Sequence, residues 1–449
     1  MPEQSAIQPF PAGFTWGAAT SAYQIEGAWD QAGKGLSIWD TFSRQPGKTF
    51  RGATGEIAAG HYQRWPEDVR LMAELGLNAY RFSVAWARIF PAGAGPVNPA
   101  GLDFYDRLVD ALLAQGIQPY LTLYHYDLPQ ALQDLGGWAA PETGHYFANY
   151  AHTLAKRLGD RVKAWITLNE PEVIALNGHF LGDHAPGLQD PLVALQVANN
   201  LLLSHGLAVQ ALRAALPGAA QVGIALNLTP VEPASPSQED LAAARRIDAV
   251  INRLFIEPLY LGHVPQEAQE LFGPFLPALS PQDLQRIAVP LDFLGINYYT
   301  RAVICHDPDI PLIQASQVQP SGSDYSQMWE IYPPGLYALL ERVWNDYRPA
   351  RILITENGIP VPDGLDFDGR VRDDRRTHYL AAHLVQVQRA IAAGIPVQGY
   401  FVWSLLDNFE WALGYQMRFG LIYVDFETQK RTIKDSGRWY AGVIRKNGL

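Results

Sequence analysis

The chain contains a single cysteine, Cys305, in 449 residues, so no internal disulfide can form. That scarcity fits a reducing compartment, and the cytoplasm is the expected location. Long hydrophobic runs are also missing: no stretch approaches the roughly 18–20 apolar residues that a membrane helix needs. Residues 1–10 lack the basic start and apolar core of a secretory leader. Positive charge is in short supply as well. With 34 Lys and Arg against 45 Asp and Glu, the formal net charge is -11, which argues against a nucleic-acid backbone as partner. Arg370, Arg372, Arg375 and Arg376 form a basic cluster, but Asp373 and Asp374 interleave with it, so it reads as a solvated face.

What is present is core material. Hydrophobic residues make up 48% of the chain and charged residues 18%, the balance of a globular protein. No low-complexity tract or Gly/Ser-rich linker divides it. An apolar strand-like run, a polar loop and an amphipathic helical stretch recur along its whole length. The strand candidates are residues 14–19, 79–84, 120–124, 164–168, 222–226, 293–298, 352–355 and 398–404. Several are continuous apolar runs, as expected for parallel strands buried on both faces. Helical patterns lie between them, as at residues 66–75, 102–115 and 378–393. Gly76, Gly116 and Gly394 stand at helix ends, where a positive φ is needed. This alternation predicts one α/β domain over residues 1–449, a closed (β/α)8 barrel. Residues 301–334 are too long for an ordinary loop and show no clear period. They read as an insertion between the sixth strand and sixth helix, over the barrel mouth.

Chemistry in such barrels sits at the C-terminal ends of the strands. The fourth strand runs into Asn169-Glu170-Pro171 and the seventh into Glu356-Asn357-Gly358. A lone glutamate after a strand is ordinarily a solvated loop residue. Two of them, each beside an asparagine and followed by a turn residue, form a pattern. Glycoside hydrolysis needs such a pair: one carboxyl protonated to assist the leaving oxygen, the other charged to attack or stabilise the anomeric carbon. Mutual repulsion splits the pair into an acid and a base, but the spacing does not say which is which. Other strand ends supply Gln24, Arg81, His125, Asn297 with Tyr299, and Trp403 followed by Asn408-Phe409-Glu410-Trp411. Donors and acceptors beside aromatic platforms suit a sugar. Each also has a structural reading, as a satisfied core histidine, a packed ring or a carboxylate anchor.

At these residues the chain resembles glycoside hydrolase family 1, the family of β-glucosidases, β-galactosidases and 6-phospho-β-glycosidases. The stretch Phe14-Thr-Trp-Gly-Ala-Ala-Thr-Ser-Ala-Tyr-Gln-Ile-Glu-Gly-Ala28 is similar to the family's N-terminal signature. Thr167-Leu-Asn-Glu-Pro171 is similar to its acid/base motif, and Ile354-Thr-Glu-Asn-Gly358 to its nucleophile motif. The resemblance implies that Glu170 is the acid/base and Glu356 the nucleophile of a retaining β-glucosidase, with galactosides and fucosides as side substrates. It implies glycone contacts from Gln24, His125, Tyr126, Asn169, Asn297, Glu410, Trp411 and Phe419, and stacking on Trp403. Arg81 and Tyr299 are expected to keep Glu356 ionised, with a lowered pKa, and Trp329 to wall the glycone site from the aglycone site. Small β-glycosides are the implied partners: cellobiose-like disaccharides and aryl or alkyl β-glucosides. One departure stands out. The family commonly has Trp after the His of the third strand, and this chain has Tyr126. Val173 and His184 lie where the family varies with aglycone.

Glu410 bears on substrate charge, because a carboxylate there repels a phosphate dianion and accepts bonds from neutral hydroxyls. The 6-phospho branch carries small hydroxyl and cationic groups in this loop. Rival readings find less support. A sugar-binding barrel without catalysis would not need both carboxylates, and a thioglucosidase would replace Glu170 by Gln. A metal-dependent hydrolase is not indicated: His-Glu-x-x-His is absent, and His378 and His383 are five apart, off the helical i, i+4 spacing. No phosphate loop or dinucleotide fingerprint follows a strand, so no cofactor is implied.

Overall fold

The computed structural model describes residues 9–449. Eight parallel strands close into a barrel: β1 (Thr15–Ala19), β2 (Ala79–Ser83), β3 (Gln118–Tyr124), β4 (Ala164–Asn169), β5 (Gln221–Asn227), β6 (Phe293–Asn297), β7 (Ile352–Asn357) and β8 (Val397–Trp403). Each pairs with its sequence neighbour, and β1 pairs with β8 through Thr15↔Gly399 to Ala19↔Trp403. All eight predicted strands are present, with ends that differ by one to two residues. Alternate side chains of each strand point to two different cores, which explains the apolar runs. One core lies between sheet and helices. The other draws on all eight strands, with Ala19, Ala79, Tyr120, Ile166, Ala225, Phe293, Leu353 and Phe401 filling the barrel interior. Tyr120 and Phe401 meet there edge to face at 4.9 Å. A Cβ at Gly17 of β1 would lie 2.3 Å from the Phe401 ring, so glycine makes room for it.

The predicted helices are present with earlier starts: His61–Glu74, Pro99–Ala114 and Asp374–Ala392. Gly76, Gly116 and Gly394 follow their helices with φ of 74°, 74° and 83°, as their C-terminal positions required. Reading Pro66 as a helix start misplaced the first of these. His61 opens that helix after Gly60, and its Nδ1 bonds Asp68 Oδ2 at 2.8 Å, about two turns along the same face. Arg376 also departs from expectation. Arg370, Arg372 and Arg375 are exposed and ion-paired, but the helical phase turns Arg376 inward to a fully buried site between Asp363 and Asp373. The helix Pro191–Ala215, not anticipated from the runs, is long and apolar enough to cross a membrane by length and composition. Instead, 72% of its most apolar window is buried, and it packs along the helix Glu142–Leu158.

The insertion is more regular than its sequence suggested. Ala302–His306 and Ala315–Val318 form an antiparallel pair, and Ala302–His306 also pairs in parallel with Val231–Pro233. Strands of three to five residues are too short to show a period. The segment after them carries Met328 and Trp329 to the barrel mouth.

Because Gly17 lies directly beside the Phe401 ring on the neighbouring strand in a filled interior, Gly17→Ala is expected to destabilise the fold by about 1–3 kcal/mol. Thermal unfolding should show a lower midpoint, and adding Phe401→Leu should cost less than the sum of the two single changes. Strict additivity would show that the two sites do not compete for space.

Candidate active site

The two glutamates reach one cavity by different local routes. β4 ends at Asn169, and Glu170 follows with φ 49° and ψ 66° before Pro171 opens the helix Pro171–Ala175. The Glu170 N–H donates to the Ala225 carbonyl at 2.9 Å, which holds this left-handed residue against β5. Glu356 lies within the last turn of β7, where its carbonyl accepts from Tyr298 N–H at 3.0 Å. The next residues are structural. Asn357 donates to the Tyr298 carbonyl at 2.7 Å, and a Cβ at Gly358 would lie 1.8 Å from the Trp403 carbonyl oxygen. Only glycine lets β7 turn past the end of β8. Three residues lining the cavity, Tyr126, Glu170 and Trp411, have positive φ, a conformation costing about 1–2 kcal/mol each that surrounding bonds must hold.

Arg81 organises the carboxylates. From β2 its fully buried guanidinium donates Nη1 to Glu356 Oε1 and to the Thr355 carbonyl, Nη2 to Asn169 Oδ1, and Nε to Thr122 Oγ1. Tyr299 donates its phenol proton to the other Glu356 oxygen at 2.6 Å. Asn297 donates Nδ2 to Glu170 Oε1 at 2.6 Å and to Asn169 Oδ1 at 3.1 Å, while its own Oδ1 accepts from Thr355 Oγ1 at 2.6 Å. The second Glu170 oxygen accepts from the Tyr126 phenol. With the Asn169 Oδ1 occupied by these donors, its Nδ2 must donate to His125 Nε2, 3.2 Å away. That bond assigns the His125 proton to Nδ1, a buried donor with no partner among the described residues.

The cavity has a volume of about 400 Å³. Trp403, Trp411, His125, Tyr126 and Glu410 line it together with both glutamates, and Tyr299, Trp329 and Phe419 form an aromatic cluster on another side. His125 lies between the rings of Trp403 and Trp411, 5.7 and 6.0 Å away and within about 20° of parallel. Gln24, Arg81, Asn169 and Asn297 stand one layer behind this surface, fully buried. Gln24 donates to the Phe409 carbonyl at 2.9 Å and to Glu410 Oε2 at 3.4 Å, so it holds the Glu410 loop. No Lys or Arg lines the cavity among the described residues.

Burial is the largest influence on each carboxyl. It pushes Glu170 up to about 7, the adjacent Glu356 charge pushes the same way, and bonds from Tyr126 and Asn297 hold it back. Glu356 was expected below its ordinary range. It is raised instead, because the loss of water outweighs Arg81 and Tyr299, which oppose the shift. Geometry still separates the pair: Arg81 bonds Glu356, and Glu170 has no cation in contact among the described residues. Glu410 is raised to about 8 by burial and then by both glutamates, so its surroundings oppose the charge expected on this carboxyl. His125 is held well below its ordinary value by burial and by Arg81, and is neutral.

Some lining residues were not read from the sequence. Asn227 ends β5, and asking which polar residue closes each strand would have found it. Asn177 and Asp183 come from the irregular helix Leu176–Leu181 and the turn after it, where no strand end marks them. Glu172 is hidden in another way. It is buried two residues beyond Glu170, and its Oε1 accepts the Asn227 N–H at 2.6 Å, which fixes that lining residue. Val173 and His184 line the cavity beside Asn177.

Comparison with known proteins agrees with this geometry over the whole chain. The model of glycosyl hydrolase family 1 matches residues 6–449. Beta-glucosidase A of Thermotoga maritima is 48% identical over 444 residues, spanning 99% of each chain. Thermostable beta-glucosidase B of Thermobispora bispora is 50% identical over 446 residues, 98% of this chain and 91% of that protein. The solved structure of the Thermotoga maritima β-glucosidase in complex with glucoimidazole superposes with a TM-score of 0.96 at 48% identity, covering 98% of this chain and 100% of that one. Sequence, fold and comparison converge: the chain belongs to glycosyl hydrolase family 1 and is a glycoside hydrolase.

Proposed function

We propose that this enzyme is a β-glucosidase that releases the non-reducing terminal β-D-glucosyl residue of small glycosides with retention of configuration. The observation that carries the reading is the unequal environment of two glutamates in one cavity. Glu356 is bonded by a guanidinium and a phenol, whereas Glu170 is pushed up to about 7 and touches no cation among the described residues. Glu356, the more readily ionised, attacks the anomeric carbon. Glu170, protonated, donates to the departing glycosidic oxygen. A covalent glycosyl-enzyme forms, and Tyr299 and Arg81 continue to orient the Glu356 carboxyl. Glu170, now a base, takes a proton from water as it attacks the same carbon from the vacated side.

The remaining wall suits a neutral sugar. Trp403 offers a ring face, the unpartnered His125 Nδ1–H a donor, and Glu410 with Trp411 further polar contacts. A bidentate carboxyl such as that of Glu410 can serve two hydroxyls of either C4 epimer, so β-galactosides and β-fucosides are proposed as lesser substrates. The rest of the lining combines Met328, Val173 and Leu413 with Asn177, Asp183 and Asn227, a mixed surface that suits a second sugar or an aryl or alkyl group as aglycone. A phosphorylated glycone would meet carboxyl groups and no Lys or Arg on the lining.

The roles give distinct outcomes. The alkaline limb of kcat/KM should fall near pH 7, because activity requires Glu170 protonated and is lost as pH rises through its pKa of about 7. Glu170→Ala should lose about 10²–10⁴-fold on alkyl glucosides, far less on activated aryl glucosides. Equal losses on both would remove Glu170 from the acid role. Glu356→Ala should be almost inactive, and azide should restore part of the turnover on an aryl glucoside, giving a glycosyl azide of inverted configuration by NMR. Steady-state rates should favour a β-glucoside over its 6-phosphate; the reverse order would overturn the assignment of an unphosphorylated glycone.

A further inference from the structure

We propose that Tyr126, where the family commonly carries Trp, is a positioning residue for Glu170 and not a ligand for the sugar. The inference rests on the assignment of Glu170 as acid/base. A phenol has one proton to give, and here it goes to Glu170 Oε2. The Tyr126 phenol oxygen itself accepts from Asn169 Nδ2 at 3.5 Å, a group that can only donate, so the phenol proton is turned toward the glutamate. The ring has little freedom to turn elsewhere. It is 5% exposed, lies 4.9 Å from both the His125 and Trp411 rings, and hangs from a backbone at φ 73°. An indole at this position has no hydroxyl, and its N–H has a different reach.

The phenol bond favours the charged form of Glu170, against the burial that opposes it. Other titratable and charged groups lie close to Glu170 or line the same cavity. Glu356 on β7 and the buried Glu172 on its own helix lie close by, as does Arg81 on β2. Glu410 comes from the loop after β8, Tyr299 from beyond β6, Asp183 and His184 from the turn after β4's helix, and His125 from the end of β3. Neither histidine is charged near neutral pH, since burial holds both below their ordinary value. Tyr126→Phe alters none of these side chains and removes only the phenol hydroxyl, with its bond to Glu170 and its longer contact with Asn169. Tyr126 therefore matters most to the second half-reaction. There Glu170 must be a carboxylate, and the phenol holds it charged and aimed while water attacks.

The test compares the enzyme with Tyr126→Phe over a pH series, using an activated aryl β-glucoside and an alkyl β-glucoside. The alkaline limb of kcat/KM should move up by about one pH unit, since a hydrogen bond to a charged group is removed. At neutral pH kcat on the activated substrate, limited by hydrolysis of the glycosyl-enzyme, should fall several-fold, while the inhibition constant of glucose stays within about twofold. Placing 3,5-difluorotyrosine at 126, a more acidic phenol of nearly the same size, should move the limb the opposite way, a readout independent of how well Tyr126→Phe folds. A limb that stays put in both proteins, or a weakened glucose constant with an unmoved limb, would overturn the proposal in favour of a sugar contact. A Glu170→Ala control separates the two levels of inference. If the alkaline limb persists without Glu170, the acid/base assignment itself has failed; if it vanishes there yet ignores Tyr126, only the role of the phenol has.

Discussion

The buried guanidinium of Arg81 is the constraint around which the site is built. Removing an arginine from water costs several kcal/mol unless its donors are met. Here they are met by four residues on three strands: Thr122 on β3, Asn169 on β4, and Thr355 and Glu356 on β7. A planar fork fits these divergent acceptors, and a lysine, with a single charged point, would not. The strands must therefore close in register before the charge is compensated. Once closed, the same fork fixes one carboxylate directly and the other through Asn169 and Asn297. A structural requirement and a chemical one are satisfied by the same bonds.

The rim is anchored by a second buried ionic network. Asp407, between Trp403 and Glu410, accepts from Lys434 Nζ at 2.7 Å and from Arg418 Nη1 at 2.6 Å, and Lys434 also reaches Asp363 at 2.8 Å. Arg376 bonds Asp363 and Asp373 on the far side. These charges touch no substrate-facing surface, yet they clamp the loop that carries Trp403, Glu410 and Trp411. Contacts held in place before the sugar arrives need no ordering when it binds, which is how a fixed polar site favours a transition state.

Much of this was legible in the sequence, and for identifiable reasons. Parallel strands buried on both faces are continuous apolar runs, so all eight were visible, and glycines at positive φ marked helix ends. The rule that chemistry follows strand ends located both glutamates, as well as Arg81, His125 and Trp403. What stayed hidden depended on partners distant in the chain. Arg376 sits in a run of exposed arginines, and only its helical phase and the acids of other loops make it buried. Pro66 imitates a helix start because proline is favoured in a first turn, whereas here it lies inside a helix that begins at His61 after Gly60. Glu172 resembles a surface helix residue until its burial against the Asn227 backbone is known. The net upward shift of Glu356 was also beyond the sequence, since it reflects how completely water is excluded, a property of the closed barrel.

The pairing of β1 with β8 carries a consequence for how the molecule is made. Thr15 and Gly399 are hydrogen-bonded neighbours at opposite ends of the polypeptide. During synthesis the growing sheet keeps two unpaired margins until the last strand emerges from the ribosome, and such margins invite association with other chains. Ring closure is thus a late, non-local event whose entropic barrier slows folding. The exposed margins of the unfinished sheet, not fragility of the closed barrel, are the vulnerability this architecture accepts.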